Sequence, residues 1–230
     1  MKGLIYLGIV PGLLLMIYMY RQDKVEREPI GLLLLLLFGG VLSAVASFIF
    51  ENIAESFAYR IFEYADLVYY IFEAFIIAGL IEEGTKRLFL RLFSWKNINF
   101  NCSFDGIIYA TFVSLGFATA ENVLYVLSYG YSTGIVRALT SVPGHTAFGT
   151  IMGIFYAYAK QAYNVGDKGL YRKNMFLSLV LPTLMHGLYD FCLMMGSDLL
   201  MILWLVVVVF VYIILFVIVR KKSKNDQIII

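Results

Sequence analysis

An all-α, polytopic membrane bundle of about seven transmembrane helices is the fold this 230-residue chain predicts, and three observations carry it. Hydrophobic residues make up 61% of the sequence and charged residues only 15%, against about 25% charged in soluble globular domains. Stretches of ~20 mostly apolar residues, the length needed to cross a ~30 Å hydrocarbon core, recur along the chain. Little sequence remains between them, so residues 1–230 read as a single integral membrane domain with no separate soluble unit. The formal net charge of +2 comes from basic residues in short loops, not from a surface stripe, so it gives no sign of a nucleic-acid partner, and the lipid bilayer is the expected surroundings.

Seven apolar segments follow in order, at 3–20, 30–50, 67–93, 105–128, 137–160, 175–195 and 198–219. The first begins after Lys2 but ends Met16-Ile17-Tyr18-Met19-Tyr20. That ending has no small-residue cleavage site, so the segment is expected to stay as a helix. Arg21, Lys24 and Arg27 follow it; Lys86, Arg87, Arg91 and Lys96 close the third; Lys160, Lys168, Arg172 and Lys173 lie between the fifth and sixth; Arg220, Lys221, Lys222 and Lys224 form the basic tail 220–230. Seven crossings put these fifteen of the eighteen basic residues on one side, leaving Lys2, Arg60 and Arg137 opposite. The positive-inside rule then places the N-terminus outside and the C-terminus in the cytoplasm.

Residues 51–66 differ from the rest. Glu51, Glu55, Glu63 and Asp66 alternate with Ile53, Phe57, Ile61, Tyr64 and Val68 at three- and four-residue spacing. The pattern suits an amphipathic helix in the outer interface, serving either as a solvated connector or as a substrate-docking surface. Cys102 and Cys192 lie in separate segments without metal-type spacing, and both read as structural. Gly79, Gly84, Gly116, Ala118, Ala120, Gly149 and Gly153 cluster in the third to fifth helices, where small side chains let backbones approach in lipid.

The same helices carry ionisable residues. A charge near the bilayer centre costs about 2.5–3.5 kcal/mol on insertion scales, so it persists where it pairs, lines a cavity or works. In the third helix, Glu82 and Lys86 share a face, with Glu83 about 100° away and within reach of Lys86. Two such acids can supply a general base and a general acid from one turn, or can belong to a snorkelling acid–base cluster at the helix end. Glu121 lies well inside the fourth helix, followed by Asn122 and preceded one turn earlier by Phe117. His145 follows Pro143-Gly144 in the fifth, as a cavity residue or a helix-packing histidine. In the sixth, His186 and Asp190 are four apart, so the carboxylate can hold one imidazole nitrogen and leave the other free. Counted from the outer helix ends, Glu121, His145 and His186 fall seven to nine residues in, about 10–14 Å at the helical rise. Glu82 and Glu83 reach that level if the third helix enters the membrane near Ala74, but lie nearer the cytoplasm if it enters near Leu67.

Taken in order, Glu-Glu-x-x-Lys at 82–86, Phe-x-x-x-Glu-Asn at 117–122, His145 and His-x-x-x-Asp at 186–190 resemble the PrsW family of bacterial intramembrane proteases. The opening Pro11-Gly12 helix and the loop ending Arg27-Glu28-Pro29 also look like that family. The related CAAX prenyl endopeptidases and Abi proteins have histidine where this chain has Glu121. The resemblance implies site-1 cleavage of a single-pass anti-sigma factor as the protein substrate, releasing an extracytoplasmic-function sigma factor in the envelope stress response. It implies catalytic roles for Glu82, Glu83, His186, His145 and Asp190, with Lys86, Glu121 and Asn122 supporting them. No Gly-x-Ser-x-Gly motif is present, so an activated water without a covalent intermediate is the expected chemistry. No cofactor is firmly implied. Zinc is the metal to expect if one is bound, with His145, His186, Asp190 or Glu121 as ligands, although no His-Glu-x-x-His motif occurs. A CAAX- or Abi-like zinc protease is the near alternative, and a proton or ion carrier or membrane scaffold the distant one.

Overall fold

The computed structural model describes residues 2–62 and 66–229. The chain forms α1 (Lys2–Gln22), α2 (Ile30–Ile61), α3 (67–94), α4 (Asp105–Tyr129), α5 (Tyr131–Leu139), α6 (Ser141–Asn164), α7 (Lys168–Met195) and α8 (Asp198–Lys224). Five of them, α1, α2, α4, α7 and α8, are long and apolar enough to cross a membrane. The two remaining long helices, α3 and α6, carry Glu73, Glu82, Glu83 and Lys86, or Pro143, Gly144 and His145, so their polar residues lower their apolarity.

The core is built around α4, which has 72% of its apolar window buried, against 22–39% for the other four apolar helices. Gly40 of α2 faces Gly116 of α4 so closely that a Cβ on either would collide with backbone of the other helix. Gly106 and Gly153 make the same approach between α4 and α6. Close backbone contact is how helices adhere in lipid, where apolar side chains gain nothing by leaving one another's company. The outward faces carry Leu34, Phe38, Val45, Leu205, Val206 and Val209, all exposed as lipid contact requires.

Three features depart from the sequence expectations. The amphipathic stretch is no separate element: α2 runs unbroken through residue 51 to Ile61, and at 32 residues spans about 48 Å, longer than the hydrocarbon core. Glu63 and Tyr64 lie outside the described residues. The 137–160 segment divides at Thr140, so Pro143 falls in the first turn of α6, where its missing N–H is no loss. The basic tail continues α8 to Lys224 and then docks: Ser103 N–H donates to the Gln227 carbonyl (2.9 Å), Ile229 N–H to that of Asn101 (2.7 Å). Within α3, residues Glu73–Ile81 are wound as a π-helix between α-helical turns Leu67–Phe72 and Glu82–Ser94, a wide winding frequent at functional sites.

At the basic end, the 23–29 connection folds onto the bundle. Glu28 N–H donates to Asp23 Oδ2 (3.2 Å), and both side chains are buried. Burial pushes the Asp23 carboxyl up to about 6, with Asp226, Glu26 and Arg27 as charged neighbours, and Glu28 up to about 7, beside Tyr109 and Asp105. Burial likewise pushes the free thiol of Cys102 up to about 12, as suits an inert structural residue. A carboxyl whose folded pKa exceeds its unfolded value of about 4 stabilises the fold below that unfolded value, and the contribution disappears as pH rises through the folded one. The detergent-solubilised protein is therefore expected to gain thermal stability as pH falls from 8 to 5.5. Glu28→Gln should flatten that rise, and an unchanged slope in the variant would show that the dependence originates elsewhere.

Candidate active site

The wide π-helical stretch leads into Glu82 and Glu83 on the inner face of α3. Thr85, next on that face, donates to the Glu82 carbonyl (2.9 Å) and meets Ser47 of α2 (2.6 Å), which locks the helix in register. Lys86 is fully buried, and an ammonium group at that depth needs acceptors for all three of its hydrogens. It has them: Nζ donates to Glu82 Oε2 (3.0 Å), Glu83 Oε1 (2.8 Å) and His145 Nδ1 (3.1 Å), and sits 3.8 Å from the Phe117 ring centroid. Because Nδ1 of His145 accepts, its Nε2–H donates, to Glu121 Oε2 at 2.9 Å.

His186 completes the group. Its Nδ1 lies 3.1 Å from Glu83 Oε1 and 3.9 Å from Glu82 Oε2, and its Nε2 3.2 Å from Asp190 Oδ2. The imidazoles of His145 and His186 meet edge to face with centroids 5.1 Å apart, and Phe148 stacks on His186 at 5.0 Å. The i, i+4 pairing of His186 with Asp190 is as the sequence implies, but the second nitrogen is not free, since Glu83 occupies it. Glu82 and Glu83 lie beside His186 and reach His145 through Lys86, which is enclosed by protein, while Arg87 donates to the Met175 carbonyl. His145 reaches the group from the second turn of α6, only four residues from the helix start, since the short α5 takes up the residues before Thr140.

Asn122 does not face the cluster. It donates to the Gly8 carbonyl of α1 (3.1 Å) and accepts from Arg137 Nε (3.2 Å), so it supports the site through Arg137. Arg137 itself escaped the sequence reading, which counted it only as a stray basic residue. Its guanidinium pairs with Glu121 Oε2 at 2.7 Å and lies 3.8 Å from the Tyr125 ring centroid. The one available signal was its rarity on the side away from the basic loops.

A cavity of about 550 Å³ reaches from Glu82, His145 and His186 past Glu121 and Asp190 to Ser128, Tyr129 and Met194, and so opens at the end of the bundle opposite the basic loops. Glu82 lines it, whereas Glu83 stands behind. Among the described residues, Glu82, Glu83, His145 and His186 form the one group compact enough for a metal ion, with donor atoms within 4.8 Å of one another. The set suits zinc in donor type. Both Nδ1 atoms face inward while Glu121 and Asp190 hold the Nε2 atoms, the usual arrangement behind metal-bound histidines. Glu121 and Asp190 thus lie behind the rings, and the two adjacent glutamates take the inner places. Glu83 Oε2 is buried without a partner, a free acceptor for an ion or a water. Lys86 Nζ contacts three of the four donors, so an ion there competes with the ammonium.

If Arg137 holds Glu121 behind His145, Arg137→Ala should lower stability by about 2–3 kcal/mol in thermal or denaturant unfolding. Arg137→Lys should recover only part of it, having lost the guanidinium geometry.

Comparison with known proteins shows the family. A family model described as PrsW family intramembrane metalloprotease matches residues 28–219. A Protease PrsW of Clostridioides difficile is 37% identical over 211 residues, covering 89% of this chain and 85% of the relative. Those of Bacillus subtilis (35% over 193 residues, 84% of each chain) and Oceanobacillus iheyensis (34% over 231 residues, the whole of both) are similar. No solved structure matches. The carrier and scaffold alternatives therefore fall away, and zinc remains compatible with both the family description and the donor set. The chain is a multi-pass bacterial membrane peptidase that belongs to the PrsW family of intramembrane proteases.

Proposed function

We propose that this protein makes the first cut in a single-pass anti-sigma factor, on the extracytoplasmic side of the membrane, and thereby starts the stepwise release of an extracytoplasmic-function sigma factor under envelope stress. The observation that supports it is the meeting of Glu82, Glu83, Lys86, His145 and His186 at the inner end of a cavity that opens away from the basic loops. With those loops in the cytoplasm, the opening faces outside. A membrane-anchored substrate can then present its outer juxtamembrane segment there.

Glu82 lines the cavity, so it holds the attacking water and takes its proton as the oxygen adds to the scissile carbonyl carbon. Positive charge for the developing oxyanion comes from Lys86 and His186, at 3.0 and 3.9 Å from the Glu82 carboxylate. As the C–N bond breaks, Glu82 returns the proton to the leaving amine. Glu83 aligns Lys86 and His186, Asp190 orients the His186 ring, and His145, held by Glu121, takes the third hydrogen of Lys86. A zinc ion held by Glu82, Glu83, His145 and His186 would supply Lewis-acid polarisation and a more acidic bound water.

Co-expression with a tagged single-pass anti-sigma factor should yield a product truncated on its outer side. Glu82→Ala, Glu83→Ala and His186→Ala should each reduce that product by at least about 100-fold while the protein still inserts. Full activity in the Glu82→Ala, Glu83→Ala double variant would overturn the assignment. Elemental analysis of the purified protein separates the two forms of the site. Near-stoichiometric zinc that disappears in His145→Ala, with inhibition by chelator, is the signature of the metal form. Activity unaffected by chelator in a zinc-free preparation is that of the glutamate form.

A further inference from the structure

The outer part of the cavity carries acidic residues that the chemistry above does not use. Glu51 and Glu55 reach it from the extended end of α2 and Glu73 from the π-helical stretch of α3, and they adjoin Asp190 of α7, which orients His186. They are electrostatically linked: Glu51 interacts with Glu82 and Glu121 and, in the opposite sense, with Lys86 and His186 deeper in, and Glu73 with Glu55 and Asp190. Among the described residues, the Lys and Arg ion pairs of this region are those of Lys86 with Glu82 and Glu83 and of Arg137 with Glu121. Among the described residues, none of these pairs brings a Lys or Arg to Glu51, Glu55, Glu73 or Asp190. Glu51 Oε1 is buried without a hydrogen-bond partner. A cleft lined by one sign of charge with low-dielectric walls concentrates the opposite sign.

Resting on the proteolytic reading, we propose that Glu55 and Glu73, with Glu51 deeper in the cavity, are specificity residues that select a substrate whose outer juxtamembrane segment carries a basic residue beside the scissile bond. Two observations favour a basic side chain over a bound ion. Among the described residues, the compact metal-type group comprises only Glu82, Glu83, His145 and His186, so Glu51, Glu55 and Glu73 are too dispersed to close on one ion. They instead line a path from the opening to the catalytic carboxylate, which suits an ammonium or guanidinium on a flexible stem. This also gives the acidic face of the amphipathic stretch 51–61 a purpose. Its apolar residues Ile53, Phe57 and Ile61 face outward, while Glu51 and Glu55 face the cavity.

The test uses the full-length protein in detergent micelles and three fluorescent decapeptides, identical except for a central Lys, Gln or Glu. Anisotropy titrations should show the Lys peptide binding about tenfold more tightly than the Gln peptide, with the Glu peptide weakest. The Lys-to-Gln ratio should fall below about threefold in the Glu55→Gln, Glu73→Gln protein, and Glu55→Lys, Glu73→Lys should reverse the order of Lys and Glu peptides. Equal affinity for all three peptides, no binding of any, or an unaltered ratio in the Gln double variant would overturn the proposal. So would a preference that appears only with added divalent cations, which is the mark of an ion site. Failure of the anti-sigma factor assay with the peptide ratio intact would strike the proteolytic substrate and leave the selectivity standing.

Discussion

The buried ammonium of Lys86 is the interaction on which the rest of this site depends. An ion at 0% exposure inside a membrane bundle survives only with every hydrogen engaged, and its acceptors come from two helices, Glu82 and Glu83 on α3 and His145 on α6. Each acceptor then recruits another partner. Glu83 holds His186 of α7, and His145 holds Glu121 of α4, which in turn holds Arg137. One cation therefore ties four membrane helices and the largely buried Arg137 into a single network, and the polar atoms lining the cavity are the outer face of that network.

Backbone packing is what makes such a network affordable to assemble in lipid. The glycine contacts between α2 and α4, and between α4 and α6, remove side chains from between the rods and bring the helices within reach of short polar bonds. The π-winding of Glu73–Ile81 widens the turn just before Glu82, so that Glu82 faces the cavity while Glu83 and Lys86 point deeper into protein. The two histidines play parallel parts. Each presents one nitrogen to the Glu82–Lys86 cluster and the other to a carboxylate on the far side, which fixes both rings before substrate arrives.

The same geometry explains why a glutamate-based and a zinc-based hydrolysis are so close in this protein. The donors that would hold an ion are those that hold Lys86, and the choice between ion and ammonium turns on competition for one small space. In the proposed mechanism either occupant would place positive charge beside Glu82, the carboxylate on the cavity side.

Much of this was legible in the residues. Composition and hydropathy determined the helical membrane class, because apolar length against a fixed bilayer thickness is a one-dimensional property. Local spacing determined the Glu82–Lys86 and His186–Asp190 pairs, since residues four apart on a helix are neighbours whatever surrounds them. The tertiary structure alone decided the rest. It decided which groups Glu82 and Glu83 meet, split the predicted fifth helix at Thr140, turned Asn122 toward α1, and brought Arg137 to Glu121 across 16 positions of chain. It also carried α2 past residue 51 and aimed Glu51 and Glu55 into the cavity. These are contacts between separate helices, and they depend on how the rods rotate and slide when glycine faces meet and a buried charge finds its acceptors. No periodicity within one segment encodes that relative placement.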